Sequence, residues 1–169
     1  MTEKAFHNLV FCYRDSMYRF ARNLLHDDAE AQDSVQVVMI KLWQQKEQLA
    51  EITSLQSYIM TATRNECLNK MRRQQMNGKH LALAGAQQAA TYSQHTGNLE
   101  QVIRKFVDSL PRKQKAVILL RDIEELETTE IAGILDMEES AVRTNLARAR
   151  QKVREYLQKI ETYEQQQIQ

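Results

Sequence analysis

The sequence predicts an all-α protein made of two small helical domains joined by a flexible linker. Only four glycines and one proline occur in 169 residues, so few of the turns that a sheet needs are available. Apolar residues instead recur at steps of three and four along most of the chain, which is the period of an amphipathic helix. We expect a first domain over residues 1–74, a linker over 75–97, a second domain over 98–160 and a tail over 161–169.

The first domain is predicted to hold three helices. The first spans residues 6–25, and the second begins at an aspartate cap, Asp27 or Asp28, whose carboxylate can accept backbone N–H bonds. A polar connector, Gln44–Thr53, follows the second helix. The third helix begins at Thr53 or Ser54 and ends in a basic run.

The helical pattern dissolves between Gln74 and Gly97. This stretch of Ala, Gln, Ser and Thr has too little bulky apolar surface to offset the entropy cost of ordering it, which predicts a linker. Periodicity resumes at Leu99, and Pro111 suits the first turn of the next helix. The tail from Glu164 onward is expected to fray.

The last part of the chain has the layout of a helix-turn-helix. Thr128 or Thr129 can cap a short helix, with Glu130 placed for a capping box. Asp136–Glu139 is the turn, and the long helix from Ser140 combines an apolar stripe with a basic face. In such a motif the second helix enters the major groove.

The basic face of the last helix supplies the candidate DNA contacts. Residues near the start of the helix are expected to reach base edges, and cations further along are expected to bind phosphates. The candidate base readers are Arg143, Thr144, Ala147 and Arg148, and the candidate phosphate contacts are Arg150 and Lys152. On charge alone, a solvated basic helix face explains the pattern equally well.

Two further surfaces stand out in the first domain. A basic patch lies at the end of the third helix and consists of Arg64, Lys70, Arg72 and Arg73 beside Asn65. Cations also favour helix C-termini for dipole reasons alone, but a second basic site suits a two-part DNA target. On the second helix, exposed Gln36 and Val37 lie beside a face that carries both acidic and basic residues, which suggests a protein-docking surface. Alternatively, Trp43 is an ordinary core residue and the acids simply favour the start of the helix.

Composition excludes several classes of function. The net charge is +1, so any basic surface must be local. Cys12 and Cys67 are isolated, the four histidines show no paired spacing, and the adjacent Glu124 and Glu125 cannot face each other on a helix. We therefore expect no enzyme activity, cofactor or metal. Neither a membrane-spanning run nor a signal peptide is visible in the sequence, which predicts a cytoplasmic protein.

Four segments together resemble the extracytoplasmic-function (ECF) sigma factors, small two-domain promoter-specificity subunits of bacterial RNA polymerase in the sigma-70 family. The first two segments are 31–43 and 57–69, the latter running into Arg72 and Arg73. The third is 110–121, and the fourth joins 129–132 to 140–150. They lie in the family's order and cover nearly all of the chain outside the linker.

The resemblance implies a sigma factor that directs promoter-specific initiation. The first domain, sigma region 2, would dock on core RNA polymerase and open the minus-ten element; the second, region 4, would bind the minus-thirty-five element. Partners implied are the polymerase β′ clamp helices and β flap, promoter DNA and an anti-sigma factor. By position, the docking residues are Asp33, Gln36, Val37, Lys41 and Trp43, and the minus-ten residues are Arg64, Asn65, Lys70, Arg72 and Arg73.

The sequence departs from the family pattern at several positions. Val37 stands where the family usually has Glu, Ala147 is small for a base reader, and Glu125 and Asp136 occupy turn positions that are often Gly. Aspartate tolerates positive φ better than glutamate. Two other interpretations stay open: a stand-alone dimeric helix-turn-helix regulator, and a helical adaptor without a nucleic-acid role.

Overall fold

The computed structural model describes the backbone of residues 2–76 and 99–167, and the side chains of 2–76 and 102–162. The described residues form α-helices joined by short turns, with a 3-10 turn at Phe11–Tyr13 and a π-helical segment at Leu119–Ile123. The α-helices are α1 (Glu3–Val10), α2 (Arg14–Leu25), α3 (Asp28–Gln44), α4 (Lys46–Leu49), α5 (Leu55–Met76), α6 (Leu99–Asp108), α7 (Arg112–Ile118), α8 (Thr128–Leu135) and α9 (Glu139–Gln167). The predicted linker falls almost wholly on residues 77–98, which lie outside the described residues.

Helices α1 to α5 form the N-terminal bundle. The single first helix predicted over residues 6–25 is wrong in one respect, because the 3-10 turn divides it into α1 and α2. The apolar face nevertheless continues across the break, and Phe6, Val10, Met17 and Ala21 are buried in one core. A single 3-10 turn rotates the following residues only slightly about the helix axis, so apolar residues still fall on the buried side after it. The spacing of apolar residues therefore did not reveal the break.

The next elements of this bundle follow their predicted caps. Asp27 caps α3, and its carboxylate accepts the backbone N–H of Glu30 at 2.9 Å. The predicted polar connector holds a short helix, α4, whose Leu49 is buried in the bundle core. Helix α5 starts directly after Ser54 and continues to Met76, two residues beyond the predicted domain boundary at 74.

Helices α6 to α9 form the C-terminal bundle. Pro111 is the N-cap of α7, one position before the first turn in which the sequence predicted it. The predicted threonine cap of α8 is wrong: Glu127 occupies the N-cap, and its backbone N–H donates to Glu130 Oε2 at 2.9 Å. Glu130 therefore does take the capping-box position. Helix α9 continues to Gln167, whereas fraying was expected from residue 164.

The two bundles pack directly against each other. Phe20 of α2 and Met60 of α5 are fully buried in the same cluster as residues of α7, the π-helical segment, α8 and α9. Helices α2 and α5 thus each have two apolar sides, one facing their own bundle and one facing the C-terminal bundle. The sequence predicted two domains but not that they would share a core.

Candidate nucleic-acid interface

The helix-turn-helix is built by α8, a tight turn and α9. Asp136 ends α8 in the left-handed region, at φ 53°, and the N–H of Met137 then donates to the carbonyl of Ala132 at 3.0 Å. Val142 and Ala149 of α9 are buried against the bundle. The turn thereby fixes which side of α9 faces solvent, and a short polar side chain tolerates the conformation that glycine usually supplies.

The predicted base readers share that solvent side. Arg143, Thr144, Ala147 and Arg148 are all exposed, and their spacing of one, three and one residues places them along one face of α9. Ala147 is exposed as well as small, so it leaves room beside the longer arginines. The structure therefore brings all four predicted readers together.

The cations on α9 differ in what they contact. Arg143 pairs with Glu139 one turn earlier, and Arg150 forms a two-pronged contact with Asp122, with Nε 3.0 Å from Oδ2. The contact raises the pKa of Arg150 above its already high ordinary value. Among the described acids, none pairs with Arg148 or Lys152. Arg150 thus ties α9 to the π-helical segment, while Arg148 and Lys152 remain available to a ligand.

The basic patch at the end of α5 is less uniform than the sequence suggested. Asn65, Arg72 and Arg73 are exposed. Arg64 is half-buried, and its guanidinium donates to the carbonyl of Leu135 at 3.2 Å. Lys70 is also half-buried, because its ammonium pairs with the carboxylate of Glu30. Only part of this patch faces solvent.

The predicted docking residues all lie on α3, but some of them already contact other side chains of the bundle. Gln36 and Val37 are exposed, and Lys41 pairs with the nearly buried Glu66. Trp43 is 36% exposed, with its ring edge-to-face on Phe6 at 5.0 Å between centroids. Asp33 lies 3.7 Å from the ammonium of Lys70, which links the docking helix to the α5 patch.

Two glutamates, Glu124 and Glu130, join the bundles, a role that the sequence did not predict for either of them. Glu124 is 8% exposed and accepts hydrogen bonds from Ser16 and Arg19 of α2. Glu130 accepts from the hydroxyls of Ser54 and Ser57, and these bonds hold the pKa of its carboxyl below the ordinary value. Only the partners, 73 to 108 residues away in sequence, identify these roles.

Other kinds of site are not evident in the described part of the chain. No group of three or more His, Cys, Asp or Glu residues within it could hold a metal ion. No described helix is both long and apolar enough to cross a membrane. Cys12 is exposed and Cys67 buried, and burial raises the pKa of the Cys67 thiol to about 11.

Family models match both halves of the molecule. The model of sigma-70 region 2 matches residues 9–76, and the model of sigma-70 region 4 matches residues 100–153. The first match spans the end of α1 through α5, and the second spans the helix-turn-helix. The chain belongs to the sigma-70 family. The resemblance to ECF sigma factors that the motifs indicated is confirmed.

Individual sigma factors resemble the chain over most of its length. An ECF RNA polymerase sigma factor, SigW of Bacillus subtilis, is 24% identical over 168 residues, which cover 92% of this chain and 90% of that protein. A probable RNA polymerase sigma factor, RfaY of Xanthomonas campestris, is 26% identical over 95% of this chain. The chain spans only 42% of the length of that relative.

A solved sigma factor shares the fold. The sigma factor RpoE of Bartonella quintana, in complex with the anti-sigma factor NepR, superposes with a TM-score of 0.69 and 21% identity. The similarity covers 92% of this chain and 98% of that one. Both bundles of this sigma-70 family member therefore follow a known architecture, and each basic element lies within a matched region.

Proposed function

We propose that this sigma-70 family chain works as a promoter-specificity subunit of RNA polymerase that binds two promoter elements with its two bundles. The C-terminal bundle binds the minus-thirty-five element through α9. The N-terminal bundle docks on core polymerase through α3 and binds the melted minus-ten strand near the end of α5. The observation that carries the proposal is the pair of exposed basic elements, one within each matched family region.

The geometry supports a division of labour on α9. Arg148 can place two donors on a guanine edge, and exposed Thr144 and Ala147 beside it can contact a thymine methyl. Lys152 lies one turn further along and suits a phosphate, which adds affinity without sequence information. Arg150 supports DNA binding indirectly, because its contact with Asp122 fixes α9 against the π-helical segment.

On the N-terminal bundle, Asn65, Arg72 and Arg73 are the exposed members of the minus-ten set. Cations beside an amide suit a single strand, because the backbone needs positive charge and unstacked bases need polar partners. For docking on the β′ clamp helices, Gln36 and Val37 offer the free surface of α3. Ile40, 58% exposed one turn beyond Val37, extends that surface with apolar area.

We also propose control by an anti-sigma factor and a cytoplasmic site of action. The support for the first is the likeness to a sigma factor solved with its anti-sigma partner. Purification from the native cell under uninduced conditions should recover a stoichiometric inhibitor. Recovery of the chain without one would count against this control.

The decisive experiment adds the purified chain to core polymerase and maps run-off transcripts from genomic fragments. Specific initiation that requires both chain and core is expected, with the chain itself a monomer. A stable homodimer that binds duplex tightly without polymerase would favour a stand-alone regulator. Unchanged transcription and partner binding in the Arg143→Ala/Arg148→Ala double variant would favour an adaptor.

A further inference from the structure

A nearly buried acid lies in the middle of α5. Glu66 follows directly on Asn65, one of the exposed residues proposed to face the melted strand. Its carboxylate pairs with the ammonium of Lys41, which reaches across from α3. Among the residues that the structure describes, no second cation pairs with Glu66. A carboxylate removed from water needs such a partner, because burial of an unpaired charge is costly.

Lys41 lies on the side of α3 that faces α5. Positions 30, 34 and 41 are separated by four and seven residues, which are spacings that bring side chains to one side of a helix. Glu30 pairs with Lys70 of α5, and Lys41 pairs with Glu66 of the same helix. Ser34, between these two pairs, is buried. The side chain of Lys41 therefore belongs to the contact between α3 and α5.

The proposed docking surface lies on another side of α3. Gln36 and Ile40 are exposed and one helical turn apart. Lys41 is five residues from Gln36 and one from Ile40, and neither spacing brings side chains together on a helix. Val37, four residues before Lys41, lies between the two sides. The contact with Glu66 thus separates Lys41 from most of the docking set in which the sequence places it.

The two members of the pair differ in exposure. The Lys41 side chain is 56% exposed, whereas that of Glu66 is 8% exposed. A ligand that approaches this edge of α5 therefore meets the ammonium, and the carboxylate lies behind it. Without Lys41, the carboxylate would keep its charge and lose the group that covers it.

The charge of Glu66 lies within a cationic surface. Lys70 is four residues further along α5 and Arg73 is seven, so both share the side of the helix on which Glu66 lies. An unpaired carboxylate at this position would repel the phosphates of a strand that lies along α5. At close range through water, one such like charge weakens binding about fivefold. Its neutralisation therefore matters to a nucleic-acid ligand.

We propose that Lys41 neutralises Glu66, so that α5 presents an uninterrupted positive surface to the backbone of a single strand. Lys41 is then a positioning residue of the minus-ten surface rather than a contact to core polymerase. The effect is electrostatic and requires no contact between Lys41 and the strand. The proposal rests on the proposed function of α5, whereas the ion pair is a property of the chain alone.

Fluorescence anisotropy with a labelled oligothymidine strand tests the proposal on the full chain at low salt. Oligothymidine offers no base sequence to distinguish, so its affinity reports the electrostatics of backbone binding. Arg72→Ala/Arg73→Ala should weaken binding, which would assign the probe to α5. Equal binding by this variant and the parent would remove strand binding from α5 and overturn the proposal.

Lys41→Met should weaken binding about fivefold, because it leaves Glu66 unpaired among the cations of α5. Lys41→Met/Glu66→Gln should return the affinity to that of the parent, since no negative charge remains to be neutralised. Added salt should close the gap between Lys41→Met and the parent by screening the repulsion. Lys4→Met, at an exposed position on α1, is the matched control: it removes the same charge without leaving an acid of α5 unpaired, and should bind like the parent.

Glu66→Gln alone tests the proposal independently of the stability of Lys41→Met. Removal of the negative charge should leave binding equal to that of the parent or tighter, and circular dichroism checks that each variant is folded. Weaker binding by Glu66→Gln would show that the carboxylate helps the strand to bind, and would overturn the proposal.

Three other results would also overturn it. Equal affinities for Lys41→Met and the parent would show that the pair has no effect on the strand. A double variant that binds as weakly as Lys41→Met would show that the ammonium itself contacts the strand. A loss of affinity for core polymerase in Lys41→Met that Glu66→Gln does not restore would return Lys41 to the docking surface.

Run-off transcription by the parent protein reports the proposed function separately. A chain that shows the expected order of strand affinities yet never supports initiation would overturn the proposed function and leave the role of Lys41 in place. Initiation by the parent without that order of affinities would do the opposite.

Discussion

The two basic elements of this sigma factor differ in what their cations already contact. On α5, Arg64 donates to the backbone of α8 and Lys70 pairs with Glu30. On α9, Arg148 and Lys152 have no acidic partner in the described part of the chain. A count of charges predicts a basic surface on both helices. On α5 only Arg72 and Arg73 of the four predicted cations are exposed, whereas the predicted cations of α9 are all exposed.

The largest expected effect is on base reading by α9. We expect Arg148→Ala to cost about 1–3 kcal/mol in binding to the preferred promoter and to relax selectivity at one base. Competition between cognate and single-base variant promoters, measured with holoenzyme, gives both quantities. Equal losses on cognate and scrambled sites would show that Arg148 does not read a base.

Substitution of Lys70 should affect folding more than DNA binding. Its side chain is 22% exposed and its ammonium contacts Glu30 and Asp33, so Lys70→Ala should lower the free energy of unfolding by about 1 kcal/mol. Urea denaturation measures the loss. Arg72→Ala, at an exposed position on the same helix, is the matched control. It should weaken binding to the minus-ten element and leave the urea midpoint of unfolding unchanged. A lower midpoint for Arg72→Ala and weaker minus-ten binding for Lys70→Ala would contradict these roles.

A smaller effect is expected at Lys152. Its ammonium suits a phosphate, so Lys152→Ala should weaken all promoters alike, by a few-fold, and lower the salt slope of binding by about one. Titration of holoenzyme on two unrelated promoters across a salt series provides the measurement. A loss confined to one promoter would assign Lys152 to base recognition instead.

The smallest expected effect is the contribution of the Arg150–Asp122 pair to stability. The pair with Asp122 is half exposed, so solvent screening limits it to about 0.2–1 kcal/mol of stability. A double-mutant cycle with Arg150→Ala and Asp122→Ala, followed by thermal unfolding, should show coupling of that size. Strict additivity would mean that the pair adds nothing and that Arg150 is free to bind phosphate.

The sequence supported the helical fold and the main functional surfaces. Periodicity located α3, α5, α7 and the helix-turn-helix, and the aspartate cap located the start of α3, because apolar spacing and capping are local properties. The break at Phe11–Tyr13 and the short helix Lys46–Leu49 were missed, since each spans one turn and leaves the apolar side unchanged. The turns at Glu125 and Asp136 both hold positive φ, at 58° and 53°, although we expected difficulty for glutamate.

The sequence by itself therefore determined the helices, the basic faces and the family, because each depends on residues close together in the chain. Only the tertiary structure decided which charges are free. It paired Arg150 with Asp122, covered Arg64 with α8 and gave Glu124 and Glu130 partners in the other bundle. These contacts join residues 28 to 108 positions apart, so they depend on how helices pack rather than on any local pattern.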